Sequence, residues 1–342
     1  MADRSTVYVQ DAAIDEYIAS VLLTVMPGYA LQANVIVDAD CIGGPAMNTA
    51  WKLNQFLGAD IPLGLSAARG VNPFPWPYRS DCVAMGEIAD LSGYPANPNW
   101  PWYPPGDADP HASSPRPGIP PTGEGLNYPD GDALLGAALD RSLAQGEQFT
   151  LVVNCPFTPV ATVLGERPDR ATAIERVIWM GGAVDLIQGN LDPKTLPTTV
   201  ANPYAEWNAF WDPLAVDWVF RNTSFPIVMF PLNVTNDAVI TKEFMSALQQ
   251  QAATCRYSRL AFDAYSIVSS EPFYSMWDVT SVCYLTQPGL FDTPRTMRLD
   301  ILTEGYYQGT IYSDDAGRAV DVVMSFADKA AFYTHVLGLL QR

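Results

Sequence analysis

Short apolar runs that repeatedly give way to a polar or glycine-containing turn, and then to a helical stretch, constrain this chain most. "TVYVQ" (6–10) leads into "EYIASVLLTVM" (16–26), where Ile18, Val21, Leu22 and Val25 recur at helical spacing. "LQANVIVDADC" (31–41) leads into "GGPAMNTAWKLNQFL" (43–57), and "QFTLVVNCP" (148–156) into "TPVATVLGE" (158–166). "ERVIWMGGAVD" (175–185) and "FPIVMFPLNVTN" (225–236) are two further strand-like runs. Near-continuous apolar strands are what a sheet covered on both faces requires, and alternation with helices makes that sheet largely parallel. The expected class is α/β, with a mostly parallel central sheet and helices on both faces.

One region breaks the rhythm. Ten of the 29 prolines fall in 95–121, "PANPNWPWYPPGDADPHASSPRPGIPP". Proline fixes φ and removes a donor, so this reads as a loop insertion and not as core. A second proline-aromatic loop, "VNPFPWPYRSD", precedes it at 71–81. Each is either a surface insertion or a cover over a site.

Polar residues gather where the strands end. Asp11, Asp15 and Glu16 follow the first strand, Asp38 and Asp40 the second, and Asn154 the run "TLVV". Met180, Gly181 and Gly182 follow "VIW", and Asn233 and Asn236 follow "IVMFPL". In a doubly wound sheet, ligands bind beyond the carboxyl ends of the strands, so these positions would converge on one crevice. Several carboxylates there cannot all stay ionised without compensation. A hard divalent cation held by oxygen ligands, calcium or magnesium, would supply it, and the only histidines are His111 and His335. Asp15 and Glu16 also read as cap and first-turn acids of a helix beginning near Tyr17, which needs no metal. Asp11 is left unexplained by capping. "YAEWNAFWDP" (204–213) places Glu206 and Asn208 two apart, and "SMWDVT" (275–280) sets Trp277 beside Asp278. An aromatic plane next to a carboxylate suits a flat heterocycle joined to a polyhydroxylated group, although tryptophans more often pack in cores.

The net charge of −18 makes nucleic acid and anionic membranes poor partners and favours a small neutral molecule or a cation. Five widely spaced cysteines without a CxxC pair exclude a disulfide framework or a zinc site and fit a reducing compartment. The first residues lack a basic flank and an apolar h-region, and no run of about 18 apolar residues suggests a span. A cytoplasmic protein is expected.

The ordered set "VYVQDAAIDEY", "VNPFP", "IERVIWMGGAVD", "AEWNAFWDP" and "MWD" resembles the nucleoside hydrolases, most closely their purine-preferring inosine-adenosine-guanosine branch. The resemblance covers nearly the whole chain, with 95–121 as the insertion. It implies a single large Rossmann-like domain, a calcium ion at the floor of the ribose pocket, hydrolysis of the N-glycosidic bond of purine ribonucleosides to base and ribose, and a homodimer. The family's DxDxxxDD fingerprint maps onto Val9, Asp11, Asp15 and Glu16. By resemblance Asp11 is a calcium ligand and the general base, and Glu16, Asp278 and the carbonyl of Asn154 complete the metal set. Asp15, Asn190, Glu206 and Asn208 would bind ribose. Asp40, Trp76, Tyr78 and Trp277 would bind the base.

Departures are specific. Glu16 is one methylene longer than the family's Asp, Ala12 and Ala13 replace a glycine and an asparagine, and Val9 removes a carboxylate. No histidine lies in "YSRLAFDAYSIVSSEPFYSM", where pyrimidine-accepting relatives carry one, which leaves aromatic stacking to activate a purine leaving group. Two alternatives stay open: an N-ribosyl hydrolase for a modified nucleoside, and a nucleoside- or ribose-binding protein with weakened catalysis. A phosphorylase is disfavoured because the strand-end loops lack an arginine for phosphate.

Overall fold

The computed structural model describes residues 3–41, 43–72, 81–100, 127–191, 202–271 and 274–342. Among them, nine strands form one sheet: β1 (Arg4–Gln10), β2 (Tyr29–Ile36), β3 (Leu63–Leu65), β4 (Phe149–Asn154), β5 (Ile174–Met180), β6 (Ile227–Phe230), β7 (Arg295–Ile301), β8 (Ile311–Ser313) and β9 (Arg318–Val322). Their order is β3-β2-β1-β4-β5-β6-β9-β7-β8. From β3 to β9 every pairing is parallel, and β7 then pairs antiparallel with both β9 and β8. The fold is a single α/β domain with a mostly parallel sheet.

Strand alternation divides the core in two. Tyr8, Ile36, Val152, Ile178 and Val228 face one apolar layer, and Val7, Val9, Val35, Leu151, Val153, Val177 and Trp179 face the other. Helices cover both, which is why the central strands read as unbroken apolar runs. The chain builds outward from β1 through β2 to β3, then returns to the other side of β1 with β4 and continues to β5 and β6. The reversal puts a crevice beyond the carboxyl ends of β1 and β4, where Gln10 pairs with Asn154.

The first helix, α1 (Ile14–Val25), starts earlier than a beginning near Tyr17 would place it. Its N-cap is Ala13, without a side-chain cap, so Asp15 and Glu16 lie inside the first turn and are buried. Capping therefore does not account for their carboxyl groups. Of the 95–121 segment, the first residues are packed on α2 (Gly43–Leu57): Trp100 meets Trp51 edge-on at 5.6 Å, and the Asn97 amide donates to Asn48 Oδ1 at 3.2 Å. Residues 101–126, with His111, lie outside the described residues. No described helix is long and apolar enough to cross a membrane.

Candidate functional site

At the end of β1 the backbone turns sharply. Ala12 has φ 69°, a left-handed value unusual for alanine, and its amide donates to Gln10 Oε1 at 2.6 Å. Gln10 in turn donates from Nε2 to Asn34 Oδ1 of β2. The carbonyls of Gln10 and Asp11 accept from Val37 and Cys41 at 2.8 and 3.1 Å, so the segment after β2 pins the turn that presents Asp11. Asp38 in that segment accepts from Gly43 N at the start of α2 at 3.0 Å, and half-buried Asp40 lies beyond it.

Four acids meet in the crevice. Asp11, Glu16 and Asp278 are 3, 4 and 6% exposed. Burial comes first in pushing each carboxyl well above its ordinary range; the charge of Asp40 then adds to the effect on Asp11, that of Asp11 on Glu16, and that of Glu16 on Asp278. Among the described residues only four buried side-chain polar atoms lack a hydrogen-bond partner, and two of them are Glu16 Oε2 and Asp278 Oδ1. Leaving such an oxygen unpaired costs about 1–3 kcal/mol, more when it is charged, so two in one crevice require a counterpart. A hard cation fits that donor set. Among the described residues no group of three or more carboxylate, thiol or imidazole side chains is arranged as it stands to hold a metal ion.

Asp278 lies in the first turn of the helix Trp277–Cys283. Its amide and that of Val279 donate to Asp15 Oδ2 at 2.7 and 2.8 Å, while Asp15 Oδ1 accepts from Tyr265 Oη at 2.6 Å. Its carbonyl accepts from Asn154 Nδ2 at 3.2 Å and Ser281 Oγ at 2.8 Å. Asn154 Nδ2 also donates to Tyr8 Oη, and Asn154 Oδ1 accepts from Ser281 Oγ. Burial raises Asp15 to about 6 against the pull of these donors.

A second cluster lies beyond β5. Glu206 Oε2 accepts from the amides of Gly182 (2.6 Å) and Ala209 (3.2 Å), and Oε1 from that of Asn208 (2.9 Å). Burial nevertheless raises Glu206 to about 7. Asn208 Nδ2 donates to the Met180 carbonyl, and Asn190 Oδ1 accepts from Trp207 N, so three of the four expected ribose residues share one backbone framework. Asn72 Nδ2 donates to the Phe210 carbonyl and ties residues 71–72 to the helix Trp207–Trp211. Trp277 is half-buried; its Nε1 donates to Asn236 Oδ1 at 2.9 Å, and its ring meets Tyr274 edge-on at 4.9 Å. Asn233 bonds the Val184 backbone in both directions and serves the loop, not the crevice.

Of the residues named from the sequence, Asp11, Glu16, Asp40, Glu206 and Asp278 lie within electrostatic reach of one another. Trp76 and Tyr78 lie outside the described residues. Sequence reasoning missed Gln10, Tyr265 and Ser281, and placed Asn236 at a strand end without its bond to Trp277. Tyr265 sits among Leu260, Ala261 and Ala264 on a buried helix face, where it reads as core, and only its hydroxyl distinguishes it.

Comparisons with known proteins point to one family. The non-specific ribonucleoside hydrolase RihC of Escherichia coli (strain SE11) is 28% identical over 308 residues, 90% of this chain and 87% of that one. An inosine-uridine preferring nucleoside hydrolase from Bacillus anthracis superposes with a TM-score of 0.80 at 24% identity, over 99% of both chains. A purine-preferring ribonucleoside hydrolase from Gardnerella vaginalis superposes at 0.70 and 16% identity, again over 99% of both. The family model for inosine-uridine preferring nucleoside hydrolases matches residues 8–334, and the chain belongs to that family of metal-using N-glycosyl hydrolases.

Proposed function

We propose that the protein hydrolyses purine ribonucleosides at the crevice beyond β1 and β4, with calcium as its metal. The observation that carries this reading is the pair of unpartnered carboxylate oxygens, Glu16 Oε2 and Asp278 Oδ1, buried beside Asp11. Asp11, Glu16, Asp278 and the Asn154 carbonyl are the residues that would hold the ion, all hard oxygen donors of the kind calcium takes. A bound divalent cation supplies charge neutralisation for the acids and a lowered pKa for adjacent water. Asp11 then acts as the general base: it accepts a proton from the water whose oxygen attacks the anomeric carbon, while the N-glycosidic pair leaves with the base. The ionised acids around that carbon stabilise the developing oxocarbenium charge. Asn190, Glu206 and Asn208 orient the ribose hydroxyls, and Asp40 faces the base.

Purine preference rests on Trp277. Its indole is held by Asn236 and Tyr274 beside Asp278, and a purine offers it the larger π-face. The one described histidine, His335 on the C-terminal helix, bonds Thr286 and takes no part. The protein is further read as cytoplasmic, on its unpaired cysteine pattern, and as a homodimer, on the family resemblance. Incubation with inosine, guanosine, adenosine and uridine, in calcium or in chelator, followed by chromatography of the free base, tests the reading. Calcium-dependent release from the purines with little from uridine is the expected result; equal release from uridine removes the purine assignment, and undiminished release in chelator removes the metal.

A further inference from the structure

The turn between β1 and α1 is braced by a side chain that the reaction itself does not use. Three described residues other than glycine have positive φ: Ala12, Asp185 and Leu186. Asp185 and Leu186 are exposed. Ala12 has no exposed surface and stands between Asp11 and the first turn of α1, which carries Glu16. The left-handed region costs an L-residue free energy, and alanine lacks the side-chain oxygen with which asparagine or aspartate bonds locally there. Gln10 provides that bond from two residues back. Its Oε1 accepts from Ala12 N at 2.6 Å, and its Nε2 donates to Asn34 Oδ1 at 3.3 Å. Asn34 Nδ2 donates in turn to Ser20 Oγ of α1 at 3.5 Å. All three side chains are buried, and together they tie the end of β1 to β2 and to α1. Gln10 and Ser20 therefore flank the segment that holds Asp11 and Glu16. A buried hydrogen bond returns about as much as a left-handed alanine costs, so this one acceptor decides whether the turn holds.

We propose that Gln10 is a positioning residue: its amide keeps Ala12 left-handed and so sets Asp11 against Glu16 for the metal and the attacking water. This deepens the proposed function and rests on the roles given there to those two acids. Asn190, Glu206 and Asn208 are held by a separate framework beyond β5. Gln10 thus bears on the chemical step and on the metal more than on nucleoside binding.

The test compares wild type, Gln10→Leu and the double variant Gln10→Leu/Ala12→Gly for inosine hydrolysis at saturating calcium, with calcium affinity read by calorimetry. Gln10→Leu is expected to lower kcat by about 10–100-fold while KM changes by less than about threefold, as misplacement of a reacting group does. Calcium affinity should fall by about tenfold, since its ligands lose their orientation. Glycine adopts positive φ unaided, so adding Ala12→Gly should bring kcat back to within about threefold of wild type. A merely structural role predicts the opposite, because removing a second buried group deepens the damage. Gln10→Asn keeps an acceptor for the amide two residues on and should retain most of the wild-type kcat, and it carries the test if Gln10→Leu fails to fold. A kcat within about twofold of wild type in Gln10→Leu, a loss that Ala12→Gly does not reduce, or a loss of about tenfold in Gln10→Asn overturns the proposal. A wild type that neither binds calcium nor cleaves inosine would instead indict the proposed function.

Discussion

At the scale of single residues, charge decides what the crevice does. Glu16 carries a buried oxygen without a partner, and burial and then the charge of Asp11 push its carboxyl up. Replacing it with glutamine removes the repulsion while keeping the shape. Glu16→Gln should therefore raise the melting temperature in chelator at pH 8 and weaken calcium binding by at least about tenfold, read by scanning fluorimetry and calorimetry. The two effects move in opposite directions, which a merely disruptive substitution does not produce. Sequence alone located these acids, because carboxylates after successive apolar runs must share a crevice in a parallel sheet. It could not show where each carboxyl points. Asp15 and Glu16 are neighbours, yet one bonds helix amides and the other is left with an unpartnered oxygen.

At the scale of elements, the expected framework residues depend on close backbone approach. Gly189 donates to the Pro203 carbonyl, and a Cβ there would collide with the backbone of Ala205, next to Glu206. Gly182 has φ 75°, and its Cβ would lie 2.5 Å from Met229 Cε. Gly189→Ala should destabilise the fold by about 1–3 kcal/mol in urea melts, through overpacking, and raise KM for inosine more than it lowers kcat. The sequence marks Gly182 at a strand end but gives no reason for either glycine, since the collision involves a segment 16 residues away in one case and another strand in the other. The central strands were legible as apolar runs. The antiparallel β7–β8–β9 edge was not: "RTMRLDI" alternates polar and apolar, the pattern of a strand with one wetter face, and gives no partner order.

At the scale of the molecule, strand order and net charge together set the site. The reversal at β1 and β4 opens the crevice, and the acids that fill it belong to a chain of net charge −18. Their burial links stability to pH. Glu206 is raised to about 7 in the folded state, from an ordinary value near 4.5, so the folded protein holds the extra proton between those values. Stability in chelator should therefore fall as pH rises from about 5 to 8, and a flat or rising melting temperature over that range contradicts the assignment. Calcium should restore the loss at the upper end by pairing with the ionised acids nearby.

The most direct measurement is the rate of inosine hydrolysis by Asp11→Asn against wild type at saturating calcium, with both proteins shown to be folded. If Asp11 is the base that takes the proton from water, the rate falls by about 10²–10⁴-fold, as loss of a general base does. A rate within about twofold of wild type is far outside that range and would contradict the account at its centre.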